Sequence, residues 1–251
     1  MKVNRTAKRT IEMVELISKN PNGMSLNEIV EEMCIPKTSA FDILHTLNEL
    51  KMVEIVDIRT KIYKIGIRAF TIGNSYITTT DLINVAKPYL QELSDRMAKT
   101  VFIGKENDGK VVYLYKYEPS TAIVTSCKVG HQNEMYCTSL GKCILAFSGN
   151  YEEKINSMEL TKKTQYTITD KKKLIEDIDK VNKRKYSVDN REFEEHKLCM
   201  SSPIFNHEGV LEAAISLSGI YVEGKDYSKE FDEVRRTGEL ISRKMGFSGE
   251  Y

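Results

Sequence analysis

Apolar positions change their spacing several times along the chain. Leu26, Ile29, Val30 and Met33 fall at i, i+3, i+4 and i+7, which is one face of a helix. Ser25 with Glu28 three residues on gives that helix a capping-box start. Cys34-Ile35-Pro36 ends it, because proline continues no helix and constrains the residue before it. From about Lys37 to Leu50 the spacing predicts a second helix. It buries Ala40, Ile43, Leu44, Leu47 and Leu50 and turns Thr38, Phe41, Asp42, His45 and Thr46 the other way. Strands are expected over residues 53–56 and 62–65, joined by the polar tip 57–61. A helix over residues 10–19, with Ile11, Val14, Leu16 and Ile17 as its apolar positions, precedes them and closes at Pro21-Asn22-Gly23. Helix, short turn, helix and β-ribbon is the layout of a winged helix-turn-helix, whose second helix enters a DNA major groove. A helical packing module without a nucleic-acid role has the same local pattern.

Residues 67–80 are apolar on more than one side through Ile67, Ala69, Phe70, Ile72, Tyr76 and Ile77, so something must cover them. We read this stretch as a linker helix pairing with its own copy in a dimer, the alternative being packing within its own chain. Gly73 and Thr78-Thr79-Thr80 predict a break there. An amphipathic helix follows from Asp81, with Leu82, Val85, Ala86, Tyr89, Leu93 and Met97 inside and Pro88 predicting a kink or a short first segment. Strands are then expected over 100–105, 110–117 and 121–127, with Asn107-Asp108-Gly109 as a hairpin turn. Helices are expected over 139–147, 151–158 and 170–184, the last with Leu174, Ile178 and Val181 inside. Strands over 197–205 and 210–218 and a closing helix striped by Tyr227, Phe231, Val234, Gly238, Ile241 and Met245 complete the chain. The fold class is α+β: a DNA-binding unit over residues 1–66, a linker over 67–80 and an antiparallel sheet with helices at its sides over 81–251.

Composition narrows the function. The 251 residues are 41% hydrophobic and 29% charged, as in an ordinary globular protein. A net charge of +1 gives no global affinity for a polyanion, so DNA contact needs a local patch. Lys2, Arg5, Lys8 and Arg9 form a basic arm suited to phosphate, or a merely solvated terminus. The five cysteines (34, 127, 137, 143 and 199) include no CxxC pair and read as reduced cytoplasmic thiols. No signal-peptide core and no run of 18 apolar residues occurs, so neither secretion nor a membrane partner is expected. Four histidines (45, 131, 196 and 207) lie far apart, without metalloprotease, nucleophile-elbow or phosphate-loop patterns. His196 and Cys199, three apart on a strand, point to opposite faces. No catalytic residue, metal or cofactor is expected; a metabolite-binding enzyme with an accessory helical domain is the rival reading.

Three segments offer small polar groups around the expected sheet. Thr138 and Ser139 open a helix whose free amides make an anion site, and simple N-capping fits equally. Cys199 and Ser201 share one face of a strand, opposite Leu198, Met200 and Ile204, and Ser216 and Ser218 likewise oppose Ile215 and Leu217. Solvent-facing alternation gives the same pattern, but exposed faces usually carry longer charged side chains, and their absence favours a polar-floored pocket.

Taken together these segments resemble the isocitrate-lyase-regulator (IclR) family of bacterial transcription factors over almost the whole chain. The recognition-helix motif stands as Ile35-Pro36-Lys37-Thr38-Ser39-Ala40-Phe41-Asp42-Ile43-Leu44-His45-Thr46-Leu47. The effector-domain motifs stand as residues 136–146, 192–203 and 213–219. The resemblance implies a GAF-like effector domain, a dimeric or tetrameric assembly and, most often, repression at a palindromic double-stranded operator. It implies a small-molecule effector, commonly an organic acid, held near Thr138, by backbone amides at Ser139 and Leu140, and by Cys199, Ser216 and Ser218, with Glu192 or Glu194 near the rim. Thr38, Ser39, Phe41 and His45 are expected at base edges, and Lys37, Arg59 and Lys61 at phosphates. Several positions depart from the family pattern. Asp42 replaces an arginine, Cys34 and Lys51 replace glycines at helix ends, His196 another glycine, Ser201-Ser202 two alanines, and Tyr136 a histidine.

Overall fold

The computed structural model describes residues 3–57, 61–79, 81–120 and 127–251; the side chains of residues 76–79 and 81 lie outside that description. Arg59, the 121–126 part of the expected third strand, and the Tyr76 and Ile77 side chains therefore lie outside the described residues. The chain divides into two compact units between Thr79 and Thr80.

The first unit runs α1 (Arg5–Ser18), β1 (Met24–Ser25), α2 (Leu26–Met33), α3 (Lys37–Glu49), β2 (Val53–Asp57), β3 (Ile62–Ile65) and α4 (Ile67–Thr79). Its core joins Met13 and Ile17 of α1 to Ile29, Ala40, Ile43, Leu44, Leu47, Val53 and Tyr63. The capping box of α2 is formed: Ser25 Oγ accepts from Glu28 N, while Glu28 Oε2 accepts from Ser25 N at 2.7 Å. Cys34 and Lys51 take left-handed backbone, φ 49° and 59°, where glycine would be unstrained. α1 begins well before residue 10, because Asn4 caps the Ala7 amide at 3.0 Å. Arg5, Lys8 and Arg9 thus stand on a helix rather than on an extended arm. Ile11 is exposed and Met13 takes the inner position; Leu50, one residue past α3, is also exposed. β1 joins β3 and β2 in a small antiparallel sheet of order β1-β3-β2. α4 runs unbroken through Gly73, one of the two expected break points, and ends at Thr79, within the threonine run that is the other; Ile67, Phe70 and Ile72 are exposed.

The second unit runs α5 (Asp81–Met97), β4 (Thr100–Asn107), β5 (Lys110–Tyr117), β6 (Gln132–Glu134), α6 (Ser139–Ala146), α7 (Tyr151–Ser157), α8 (Lys171–Arg184), β7 (Ser187–Asn190), β8 (Lys197–Phe205), β9 (Leu211–Ile220) and α9 (Ser228–Lys244). Its six strands form one antiparallel sheet of order β6-β5-β4-β9-β8-β7. α5 and α9 pack on one face and α6, backed by α7 and α8, on the other. Both faces of β8 and β9 are therefore buried along most of their length. Asp108 and Gly109, both at positive φ, make the two-residue turn between β4 and β5. Pro88 sits inside α5 without ending it, and Ile83 and Leu90 are buried where Tyr89 and Met97 were expected to be. Among the described residues no helix is long and apolar enough to cross a membrane, and no cluster of metal-ligating side chains occurs.

Candidate functional site

The outer face of α3 presents Lys37, Thr38, Phe41, Asp42 and His45 to solvent, with Ser39 half-buried. Burial of Ala40, Ile43, Leu44 and Leu47 fixes the rotation of the helix and so decides which side chains face outward. Phe41 and His45, one turn apart, hold their rings 6.3 Å apart, and Phe41 with Lys37, Thr38, Asp42 and Leu26 lines a shallow cleft. Lys61 is exposed beside β3, at φ 51°.

In the second unit the ladder aligns polar groups from separate strands. Asp189, Cys199 and Ser218 form one row across β7, β8 and β9, and Ser201, Ser216 and Phe102 form the next. Both rows face α6. That helix is seated by its own first turn. Thr138 Oγ1 accepts from Gly141 N at 3.2 Å and donates to Glu134 O, while Ser187 and Ser201 donate to Ser139 O and Oγ at 2.6 and 2.8 Å. Gly141 is required there, because a Cβ would fall on the Met135 backbone. The Ser139 and Leu140 amides, at the helix start, have no carbonyl one turn back to bond within the helix, so this end is electropositive.

Helix start and sheet rows enclose a cavity with about 460 Å³ of atom-free space, part of it open to solvent. Of the residues expected at an effector site, Thr138, Ser139, Glu194, Cys199, Ser216 and Ser218 line it together. Leu140 does not: its side chain is in the core, leaving only its amide near the site. Glu192 does not line it either. Its carboxylate is buried in an ion pair with Lys142, which also reaches Asp177 at 2.9 Å and the Val188 carbonyl. Burial works against the Lys142 charge, but Glu192 and Asp177 outweigh it and raise its pKa.

The cavity has further walls that the sequence reading missed: the Phe102, Tyr113 and Phe193 rings, Cys127, Asn133, Asp189 and Lys197. Asp189 is buried, and its Oδ1 accepts from the Glu192 and Phe193 amides at 2.7 and 3.3 Å. Burial, then the nearby Glu192 charge, push its carboxyl up to about 7. Lys197 is held by Glu194 at 2.9 Å. Cys199 Sγ lies 3.1 Å from Ser218 Oγ, and burial pushes its thiol up to about 12, so it is neutral at pH 7 and no nucleophile. A signal for Asp189 existed in the Ser187/Asp189 alternation before residue 190, but four residues are too few to stand out as a strand.

The family profile described as bacterial transcriptional regulator IclR C-terminal matches residues 74–243, and that of the IclR helix-turn-helix domain matches residues 6–56. The chain belongs to the IclR family. The crystal structure of the Thermotoga maritima IclR is 30% identical with a TM-score of 0.73, covering 96% of this chain and 99% of that one. An uncharacterised helix-turn-helix regulator of Haemophilus influenzae is 29% identical over 97% of this chain and 94% of its own. The regulator KipR of Bacillus subtilis is 25% identical over 98% of each chain. The protein is thus a DNA-binding transcriptional regulator of α+β architecture, with a helix-turn-helix unit and a C-terminal effector-binding domain, and the enzyme alternative has no support.

Proposed function

We propose that this IclR-family member is a repressor that acts as a dimer or a pair of dimers on a palindromic operator and is controlled by a small organic acid. Thr38, Ser39, Phe41 and His45 meet base edges in this reading, Phe41 against a thymine methyl. Lys37, Lys61 and Arg59 meet phosphates. The effector lies in the cavity under α6, its carboxylate at the Ser139 and Leu140 amides and its polar atoms on Ser216, Ser218, Cys199 and Asp189. Glu194 and Lys197 stand at the rim. The observation that carries the reading is the coincidence of an electropositive helix start with two rows of mostly small polar side chains in one partly open cavity. Dimerisation is assigned to residues 67–80, where Ile67, Phe70 and Ile72 stand uncovered on their own unit, and the effector domain to residues 81–251.

The test is fluorescence anisotropy with DNA from the gene's own neighbourhood across a salt series. Saturable binding to a palindromic site is expected, far tighter than to scrambled DNA and weakening as salt rises. A metabolite that changes this binding for the parent protein but not for Ser216→Val/Ser218→Val would support the cavity. Equal, weak binding to all DNA with and without such a metabolite would sink the reading.

A further inference from the structure

The charges around the cavity do not balance. Asp189, Glu192 and Asp177 stand close together, the first two buried, and Lys142 is the cation shared among them. Glu194 is matched by Lys197 at 2.9 Å, with the exposed His196 imidazole 3.5 Å from its second oxygen. Two further cations stand nearby with partners of their own: Lys116, over the Phe102 ring at 5.9 Å, is paired with Glu118 at 3.0 Å, and Arg191 stacks on the Tyr166 and Tyr221 rings. The thiols and the phenol around Asp189 carry no charge at neutral pH. Burial, and the Asp189 charge itself, push up the Cys199, Cys137 and Tyr113 protons, and burial does the same to Cys127. Asp189 therefore faces the cavity with a carboxylate, ionised above about pH 7, that two backbone amides and a Lys142 shared with Glu192 and Asp177 compensate only in part, while another wall is the electropositive start of α6. A plain anion suits α6 but meets Asp189, and a plain cation suits Asp189 but meets α6. Three aromatic rings, those of Phe102, Tyr113 and Phe193, line the same space, and Phe102 and Tyr113 sit edge to face at 5.2 Å. Ring faces attract ammonium groups once water is excluded.

We propose that the effector is a small zwitterion, a carboxylate that carries a protonated amine, with its ammonium at Asp189 beside the aromatic rings and its carboxylate at the Ser139 and Leu140 amides. The proposal rests on the reading of this cavity as the effector site and narrows its ligand from organic acids in general to amino acids.

The sign of the pH dependence follows from which form of Asp189 each ligand needs. An ammonium binds the ionised carboxylate, so its affinity falls as pH drops through about 7. An acid without an amine binds beside the protonated carboxyl, and its affinity falls as pH rises through the same range. Isothermal titration of the full chain between pH 6 and 8, with common amino acids and their 2-oxo and 2-hydroxy analogues as probes, separates the two. At least one amino acid is expected to bind about tenfold or more tightly than both analogues. Its affinity is expected to rise about tenfold from pH 6 to 8, the change in the ionised fraction of a group titrating near 7. Asp189→Asn is expected to remove both the preference and the pH dependence. The amine falls if an oxo or hydroxy acid binds at least as tightly, or if no amino acid binds at about 10 mM. If such an oxo or hydroxy acid loses its binding in Ser218→Val, the cavity stands as the effector site. If it keeps its binding there, the cavity is ruled out as well.

Discussion

Lys142 shows how a single side chain outside the cavity sets the cavity's shape. Its ammonium, fully enclosed, ties α6 to α8 through Asp177, to β7 through the Val188 carbonyl and to the loop after β7 through Glu192. Asp189 in turn accepts the backbone amides of Glu192 and Phe193, so the pocket wall hangs from the same anchor. Replacing Lys142 with methionine leaves Glu192 buried and unpaired, a change that costs about 3–5 kcal/mol. Urea melts at pH 7 are expected to show that loss. Part of it should return as the pH is lowered. With the lysine gone, burial holds the folded-state pKa of Glu192 further above its unfolded value, so the unfolded chain releases its proton first and stability falls as pH rises. A melting curve for K142M that is flat with pH would contradict the account. Gly141 makes a comparable point by what it lacks. A methyl group there presses on the Met135 backbone and lifts the helix start from the cavity, so Gly141→Ala is expected to lose about 3 kcal/mol or more. Calorimetry of the effector domain's melting measures that loss.

Among the elements, the helices with a clean stripe were legible in the sequence and the short strands were not. α2, α3, α8 and α9 each keep one apolar face over two or more turns, and the buried Leu174, Ile178 and Val181 are those the spacing predicts. β1, β6 and β7 are two to four residues long and rich in polar side chains, held by their neighbours' ladders rather than by their own alternation. Asp189 and Asn133 sit on such strands and so escaped the sequence reading. Phe102, Tyr113 and Lys197 lie on long strands that the sequence does show, and were missed because alternation alone does not say which face lines a cavity. Glu192 misled for another reason: a motif gives a residue's position but not which way its side chain turns, and Lys142, fifty residues earlier, captures it. The left-handed residue that separates α2 from α3 gives a test at this scale. Cys34→Gly relieves the φ of 49° and is expected to stabilise the first unit by up to about 1 kcal/mol, read from its denaturation midpoint. On the outer face of α3, Asp42→Asn removes a carboxylate from the proposed base-reading surface. If Asp42 accepts from a cytosine amino group, the change lowers the ratio of operator to scrambled-DNA affinity by about tenfold, and anisotropy at fixed salt reads that ratio.

At the scale of the whole molecule, what remains is how two copies would address one palindrome. α4 carries Ile67 and Phe70 on one face and Ile72 on its flank, all more than half exposed. Exposed apolar side chains in this number on one helix are costly unless covered, and a twofold operator calls for a twofold protein. Phe70→Glu places a charge in the proposed helix–helix contact. Light scattering coupled to gel filtration is expected to move from a dimer or tetramer mass toward the 28.7 kDa of one chain. Operator affinity should drop at the same time, because two half-site contacts no longer act through one assembly. Spacing gives the companion measurement. Inserting about half a helical turn of DNA between the half-sites puts them on opposite sides of the duplex, and inserting a full turn restores the side but not the distance. A dimer joined through a stiff pair of helices loses most of its affinity with the half-turn insertion. If Phe70→Glu stays dimeric and the half-turn operator still binds, the helices are not the link between the two DNA-binding units.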